Sequence, residues 1–320
     1  LFNRGVAHNN RGDLDGAIAD FSEAIRIDPN YVDALLNRGI VHWKRGELDR
    51  AIADLTETIS LDPENVDAHH NRGLVYGAQG NPDRAILDLS EAIRLRPNYG
   101  NAFYNRGTVY RKKGDLDRAI GDFSAAIRLD SRSAENFAAR GGAYYLQSDF
   151  DRAIADYSEA IRLDPRYADA LYDRGVAYTG KGDLNRAIAD YGDAVRIDPT
   201  RAGAYLNRGH VYSLKGDYDR AIADFSQTIR LDPKKFLAFT NRGAAYSLTG
   251  DFDRAIADFS AAIRLNPDTA FAYGGRGVAY MNRQDLRPRH RRFQRRAQAR
   301  SARGRCSCPP WHCLHEQRRP

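Results

Sequence analysis

The chain has 320 residues, 42% of them hydrophobic and 28% charged, with a formal net charge of +7. A positive balance ordinarily points to nucleic acid or an anionic membrane surface, but here it is confined to one end: residues 287–320 hold 11 Arg and one Glu, a net +10, whereas residues 1–286 carry 38 basic against 41 acidic side chains. The body of the chain is not basic, so no nucleic-acid and no membrane partner is assigned to it.

From the N-terminus, the pair Arg-Gly returns every 34 residues, at Arg4-Gly5, Arg38-Gly39, Arg72-Gly73, Arg106-Gly107, Arg140-Gly141, Arg174-Gly175, Arg208-Gly209, Arg242-Gly243 and Arg276-Gly277. A period this rigid predicts equal supersecondary units stacked one on the next. Leu1 falls at position 4 of a unit in which the Gly of Arg-Gly is position 8, and the only Met is Met281, so the sequence reads as part of a longer array. A signal peptide ahead of it would be invisible, and the compartment is left open.

Each unit contains two helical patterns. The first follows turns such as Pro29-Asn30-Tyr31 and stops at Gly46, Gly80 or Gly114, where a left-handed residue suits glycine. The second starts at an Asp such as Asp115, Asp183 or Asp217, able to cap free N–H groups, and ends at Ile27-Asp28-Pro29 or Leu231-Asp232-Pro233. At about 100° per residue, positions 4, 8 and 11 share one stripe, as in Phe103, Gly107 and Tyr110. Ala119, Phe123 and Ala126 form the matching stripe on the second helix. A mid-helix glycine costs roughly 1 kcal/mol against alanine. Its recurrence predicts a close crossing of position 8 against Ala at position 20.

Phe239-x2-Arg242-Gly243-x2-Tyr246, then Ala255-x3-Phe259, then Pro267 resembles the tetratricopeptide repeat motif Trp-x2-Leu-Gly-x2-Tyr, Ala-x3-Phe, Pro. The resemblance runs from Leu1 to about Leu286: about eight repeats plus a broken ninth. Arg replaces Leu at position 7 throughout, His8 and His42 replace Tyr, and Ser131 replaces one Pro. It implies an all-α, right-handed superhelical solenoid of antiparallel helix pairs, whose first helices line a concave groove, acting as a scaffold for a protein or peptide partner. The alternative is the substrate-recognition arm of a larger enzyme, for example a glycosyltransferase, with its catalytic domain elsewhere.

Positions 2, 6, 9 and 13 lie opposite the packing stripe. Position 6 is Asn3, Asn37, Asn71, Asn105, Asn207 and Asn241, with Ala139, Asp173 and Gly275 elsewhere. An amide offers a donor and an acceptor to a peptide backbone, and the row resembles the asparagine ladder of peptide-binding superhelices in this family; solvation or local bonding would account for it equally. Trp43, Tyr104, Tyr145 and Tyr172, at positions 5 and 12, are the expected anchors for partner side chains. Position 2 is Asp33, Asp67, Asn101, Glu135 and Asp169, then Gly203, Leu237 and Phe271, acidic first and apolar later. Arg at position 7 and Asp at position 23 recur together, predicting an ion pair between the two helices; a pair within the second helix, positions 19 and 23, competes. No catalytic constellation, cofactor motif or metal site is found in residues 1–286; adjacent His69 and His70 point about 100° apart on a helix.

After Leu286 the pattern breaks into Arg287-Pro288-Arg289-His290-Arg291-Arg292. One choice of synonymous codons for residues 287–296, read one base later, encodes Asp-Arg-Ala-Ile-Ala-Asp-Phe-Ser-Ala-Ala, the second helix that the period demands. Residues 287–320 are therefore expected to be a frameshifted, disordered basic tail. Cys306, Cys308, His312, Cys313 and His315 are by-products of that frame rather than zinc ligands, and a last repeat left uncapped would fray or self-associate. Resequencing the gene through the Leu286 codon is expected to reveal the one-base change; an intact in-frame array followed by a separate tail would refute it.

Overall fold

The computed structural model describes residues 1–283, which form helices and turns only. The basic tail and its Cys and His residues lie outside the described residues. Two compact units divide the chain, residues 1–182 and residues 183 onward. The first unit contains α1 (Phe2–Asn10), α2 (Leu14–Ile27), α3 (Val32–Lys44), α4 (Leu48–Leu61), α5 (Val66–Ala78), α6 (Pro82–Leu95), α7 (Gly100–Lys113), α8 (Leu116–Leu129), α9 (Ala134–Leu146), α10 (Phe150–Leu163) and α11 (Ala168–Lys181). The second contains α12 (Leu184–Ile197), α13 (Ala202–Leu214), α14 (Tyr218–Leu231), α15 (Phe236–Leu248), α16 (Phe252–Leu265) and α17, described over 270–283.

The punctuation acts as its chemistry requires. Asp13, Asp149 and Asp251 accept from the backbone N–H three residues on, at 3.0 to 3.1 Å, and so open α2, α10 and α16. Glycines close the first helices at φ of 77–84°, and among the described residues Ser148, at φ 62°, stands in the one such turn that lacks glycine. Each second helix then buries Ala and an aromatic or Leu: Ala17 and Phe21, Ala51 and Leu55, Ala119 and Phe123, Ala221 and Phe225 are fully enclosed. The core is shared between neighbours, since Phe123 packs on Tyr110 within its own repeat and on Ala139 and Ala143 of the next.

The close crossing at position 8 occurs, against a different set of atoms from the Ala side chain expected. A Cβ on Gly107 would lie 3.0 Å from Phe123 Cε1 and 3.2 Å from the Ala119 carbonyl oxygen; on Gly73 it would meet Leu89 at 2.9 Å and the Ala85 carbonyl at 3.2 Å. The glycine makes room for the position-24 side chain and for the backbone at position 20.

The recurrent Arg and Asp join the two helices of a repeat. Arg38, Arg72, Arg106, Arg140, Arg208 and Arg242 each present Nε and Nη2 to both carboxylate oxygens of Asp54, Asp88, Asp122, Asp156, Asp224 and Asp258, at 2.7–2.8 Å. Arg4 grips Asp20 in the same way. The competing pair within the second helix does not form in the fourth repeat, where Arg118 turns back to Asp115. A third bond extends the latch into the preceding repeat: Nη1 donates to Ser22, Thr56, Ser90, Ser124, Ser158 and Ser226 from Arg38, Arg72, Arg106, Arg140, Arg174 and Arg242, at 2.8–3.1 Å. One planar guanidinium thus fixes three helices, which the Leu usual at this position could not do. Because these carboxylates are buried, removing the guanidinium leaves an uncompensated charge. Arg106→Leu is expected to cost about 3 kcal/mol, and Arg106→Leu with Asp122→Ala to recover most of it in urea melts. A single-variant loss below about 0.5 kcal/mol, the level of an exposed ion pair, would mean that the latch is dispensable.

Candidate functional site

With its core and latch faces committed, each first helix has one side left. In the first unit, α1, α3, α5, α7, α9 and α11 approach one another in succession, whereas α2, α4, α6, α8 and α10 do not touch one another. The first helices therefore make a contiguous wall on which the position-2 side chains are exposed, while position 6 is partly buried in α3, α5 and α7 and Ala139 there in α9 packs into the core. In the second unit α13 and α15 adjoin in the same way.

On the first unit's wall, Asp33, Asp67, Glu135 and Asp169 are exposed at position 2. Lys44, at position 13 of α3, stands eleven residues beyond Asp33, about 16 Å away, whereas Arg96 Nη1 lies 3.7 Å from Asp67 Oδ1 and partly offsets that carboxylate. The second unit differs at position 2, where Leu237 is exposed; at position 13 its exposed Leu214 and Leu248 match Leu146 of α9 in the first unit.

The asparagines are half occupied. Nδ2 of Asn37 donates to the Asp33 carbonyl at 2.8 Å, and Nδ2 of Asn71 to the Asp67 carbonyl at 2.7 Å, one turn back in their own helices. Asn105 Nδ2 reaches His70 Nε2 on the neighbouring first helix, 3.0 Å away. One N–H of each amide is thus used within the protein, while Oδ1 of Asn37, Asn71 and Asn105 accepts from no other described residue. Asn207 and Asn241 are partly buried on α13 and α15.

The expected aromatic anchors lean toward the second helix of their own repeat. Trp43 packs with Leu36 against Ala51, Leu55 and Val75; Tyr104 against Phe123, with ring centroids 5.8 Å apart; and Tyr145 against Phe150, at 5.7 Å. Burial pushes the Tyr104 hydroxyl above the usual tyrosine pKa. All three keep part of their surface in solvent, as does Tyr172.

The two adjacent histidines are driven in opposite directions. His70 is buried, and desolvation pushes its pKa down. A neutral ring accepting from Asn105 at Nε2 donates from Nδ1 to Tyr99 Oη, 3.3 Å away. His69 donates from Nε2 to the Pro63 carbonyl at 3.1 Å and sets Nδ1 3.6 Å from Asp88 Oδ1, beyond hydrogen-bond length but near enough for the carboxylate to raise its pKa. Burial would raise Asp88, but Arg72 and His69 outweigh it and hold this carboxyl below the usual range. The rings share no ligand position, and among the described residues no group of three or more His, Cys, Asp or Glu could hold a metal ion. No described helix is long and apolar enough to cross a membrane.

Identical helix pairs, an invariant latch and a wall of variable, partly exposed polar residues define a helical-repeat scaffold. The chain belongs to the tetratricopeptide repeat family: models described as TPR repeat match residues 5–46, 44–80, 141–182 and 177–216, and models described as tetratricopeptide repeat match 70–134, 202–235 and 236–269. Among solved structures, it is similar to the C-terminal part of a TPR repeat-containing protein from Cytophaga hutchinsonii, with a TM-score of 0.63 and 18% identity over 75% of this chain and 98% of that one. A tetratricopeptide repeat protein from Parabacteroides merdae follows, with a TM-score of 0.59 and 21% identity over 76% and 96%. The Cut9–Hcn1 hetero-tetramer of the APC/C gives a TM-score of 0.58 and 19% identity over 83% and 52%. These likenesses show the fold. No curated protein matches the sequence. The fold is one typical of protein–protein interaction, and proteins of this family are generally non-catalytic scaffolds.

The raised His69 pKa fixes a sign. Its stabilisation is fully present below about pH 6.5, the unperturbed histidine value, and is lost as pH rises through the folded pKa. The stability advantage of the native chain over His69→Gln is therefore expected to be largest in mild acid and to shrink on the alkaline side. An advantage growing with pH in melting experiments would contradict the His69–Asp88 pairing.

Proposed function

We propose that the wall of first helices in the first unit binds an extended, basic segment of a partner protein. The observation that carries this reading is the polarity of the wall: Oδ1 of Asn37 and of Asn71 stays open one turn on from exposed Asp33 and Asp67 in the same helices, with exposed Glu135 at the matching position of α9. Such a surface complements what an extended peptide supplies, namely backbone N–H groups and Lys or Arg side chains. Electrostatic attraction adds to the rate of capture and makes it salt-dependent. The exposed edges of Trp43, Tyr104 and Tyr145 offer apolar contact between successive acceptors. The wall is a recognition surface in this reading, and the Arg residues of the latch take no part in it.

The test uses a labelled, extended Lys/Arg-rich decapeptide and the full chain. Asp33→Lys with Glu135→Lys is expected to weaken binding tenfold or more with the melting curve unchanged, because both side chains are exposed. Asn37→Ala with Asn71→Ala is expected to weaken it about fivefold for each hydrogen bond lost, roughly 1 kcal/mol apiece. Unaltered binding by both double variants, or an equal preference for an acidic decapeptide, would remove the proposal.

A further inference from the structure

The last described helix, α17, is docked in every respect as a first helix of a ninth repeat. Ala272 and Ala279 are buried against Tyr246, Ala255 and Phe259. Arg276 Nη1 donates to Ser260 Oγ at 3.3 Å, and Arg283 Nη1 to Asp253 Oδ1 at 2.9 Å, the same ties that join earlier repeats. Its other face differs from those of its counterparts. A Cβ on Gly209 would lie 2.9 Å from Phe225, and one on Gly243 3.2 Å from Phe259, whereas a Cβ on Gly277 meets nothing within 4 Å. Tyr246 and Tyr212 are 8% and 9% exposed; Tyr280, at the same position, is 39% exposed, and Tyr273 beside it 46%. Arg208 and Arg242 each hold a carboxylate with Nε and Nη2; among the described residues the Arg276 guanidinium reaches only Ser260 and the ring of Tyr273, 5.6 Å away.

The molecule itself displays what fits such a face. Asp224 and Phe225 on α14, and Asp258 and Phe259 on α16, fill the equivalent stripe, flanked by Ala221 and Ala255 one turn earlier. We propose that the free face of α17 is a docking site for an amphipathic helix of the pattern Ala-x2-Asp-Phe-x2-Ala presented by another polypeptide. The Phe seats over Gly277 between Tyr273 and Tyr280, and the Asp closes the bidentate pair with Arg276. Recognition is of the helix-in-groove kind, with apolar burial for affinity and the Arg–carboxylate fork for register. The site uses the packing stripe of α17 rather than the helix positions that carry the acidic row in the first unit, and does not depend on that row.

The probe is a fluorescein-labelled peptide with the sequence of residues 251–265, titrated against the full chain by anisotropy. Saturable binding is expected. It should weaken at least tenfold when the peptide carries Asp258→Ala or Phe259→Ala, and to the same degree when the protein carries Arg276→Ala. Gly277→Leu supplies a variant that closes the face without endangering the fold, since its added atoms have room and glycine is the weaker helix former; it should abolish binding while melting is preserved. Absent binding, or binding indifferent to Gly277→Leu, would overturn the proposal. So would a dimer in light scattering that Gly277→Leu dissolves but the peptide does not displace, which would assign the face to a second copy of the chain.

Discussion

A buried guanidinium–carboxylate pair, repeated along each unit, is the constraint on which the rest depends. Taking both charges out of water costs several kcal/mol per ion unless geometry and further hydrogen bonds offset it. Here both carboxylate oxygens are bonded, and a Ser or Thr of the preceding repeat takes a third donor of the guanidinium. The pair therefore does more than hold two helices together. It fixes the rotation of each first helix about its own axis, because a planar fork accepts one approach. With that rotation set, the side left free is the same in every repeat, and residues there can vary without disturbing the stack.

The free wall shows how neighbouring groups divide between structure and recognition. His69 and His70 are adjacent in sequence, yet one is drawn toward protonation by Asp88 and the other is kept neutral by burial. The neutral ring then absorbs the amide donor of Asn105. A row of carboxamides, able in principle to give and take hydrogen bonds, thus commits one donor of each of Asn37, Asn71 and Asn105 within the protein and leaves its acceptors open. The acidic side chains at position 2 reinforce that polarity, with Arg96 offsetting part of it at Asp67. The second unit, with Leu237 exposed at position 2 where the first unit carries acidic residues, presents a different chemistry there on the same framework.

Much of the fold was legible because its signals are local and repeated. Asp13 and Asp251 cap helices, Gly46 and Gly114 end them with positive φ, and Pro29 closes a unit; each effect is confined to a few residues. The pairing of Arg106 with Asp122, and of its counterparts in the other repeats, was legible as well, since co-recurrence at fixed spacing is its own alignment. The hydroxyl at position 25 was overlooked, although Ser22, Thr56, Ser90, Ser124 and Ser158 recur as regularly as the Arg they bind. Its role spans two repeats, and periodicity within one repeat gives no sign of it. Trp43, Tyr104 and Tyr145 read as groove residues because helical angle places positions 5 and 12 near the free face; that each also packs part of its ring against the second helix of its own repeat depends on contacts the angle does not give.

The sequence by itself determined that this is an all-α array of 34-residue helix pairs, because period, caps and apolar stripes each act over one or two helical turns. Tertiary structure decided what the spare functional groups do. Whether an asparagine keeps its donor, a histidine its proton or a tyrosine its exposure depends on atoms 29 to 35 residues away, as with Tyr99, His70 and Asn105. Only the register of one repeat on the next brings such atoms within hydrogen-bond range.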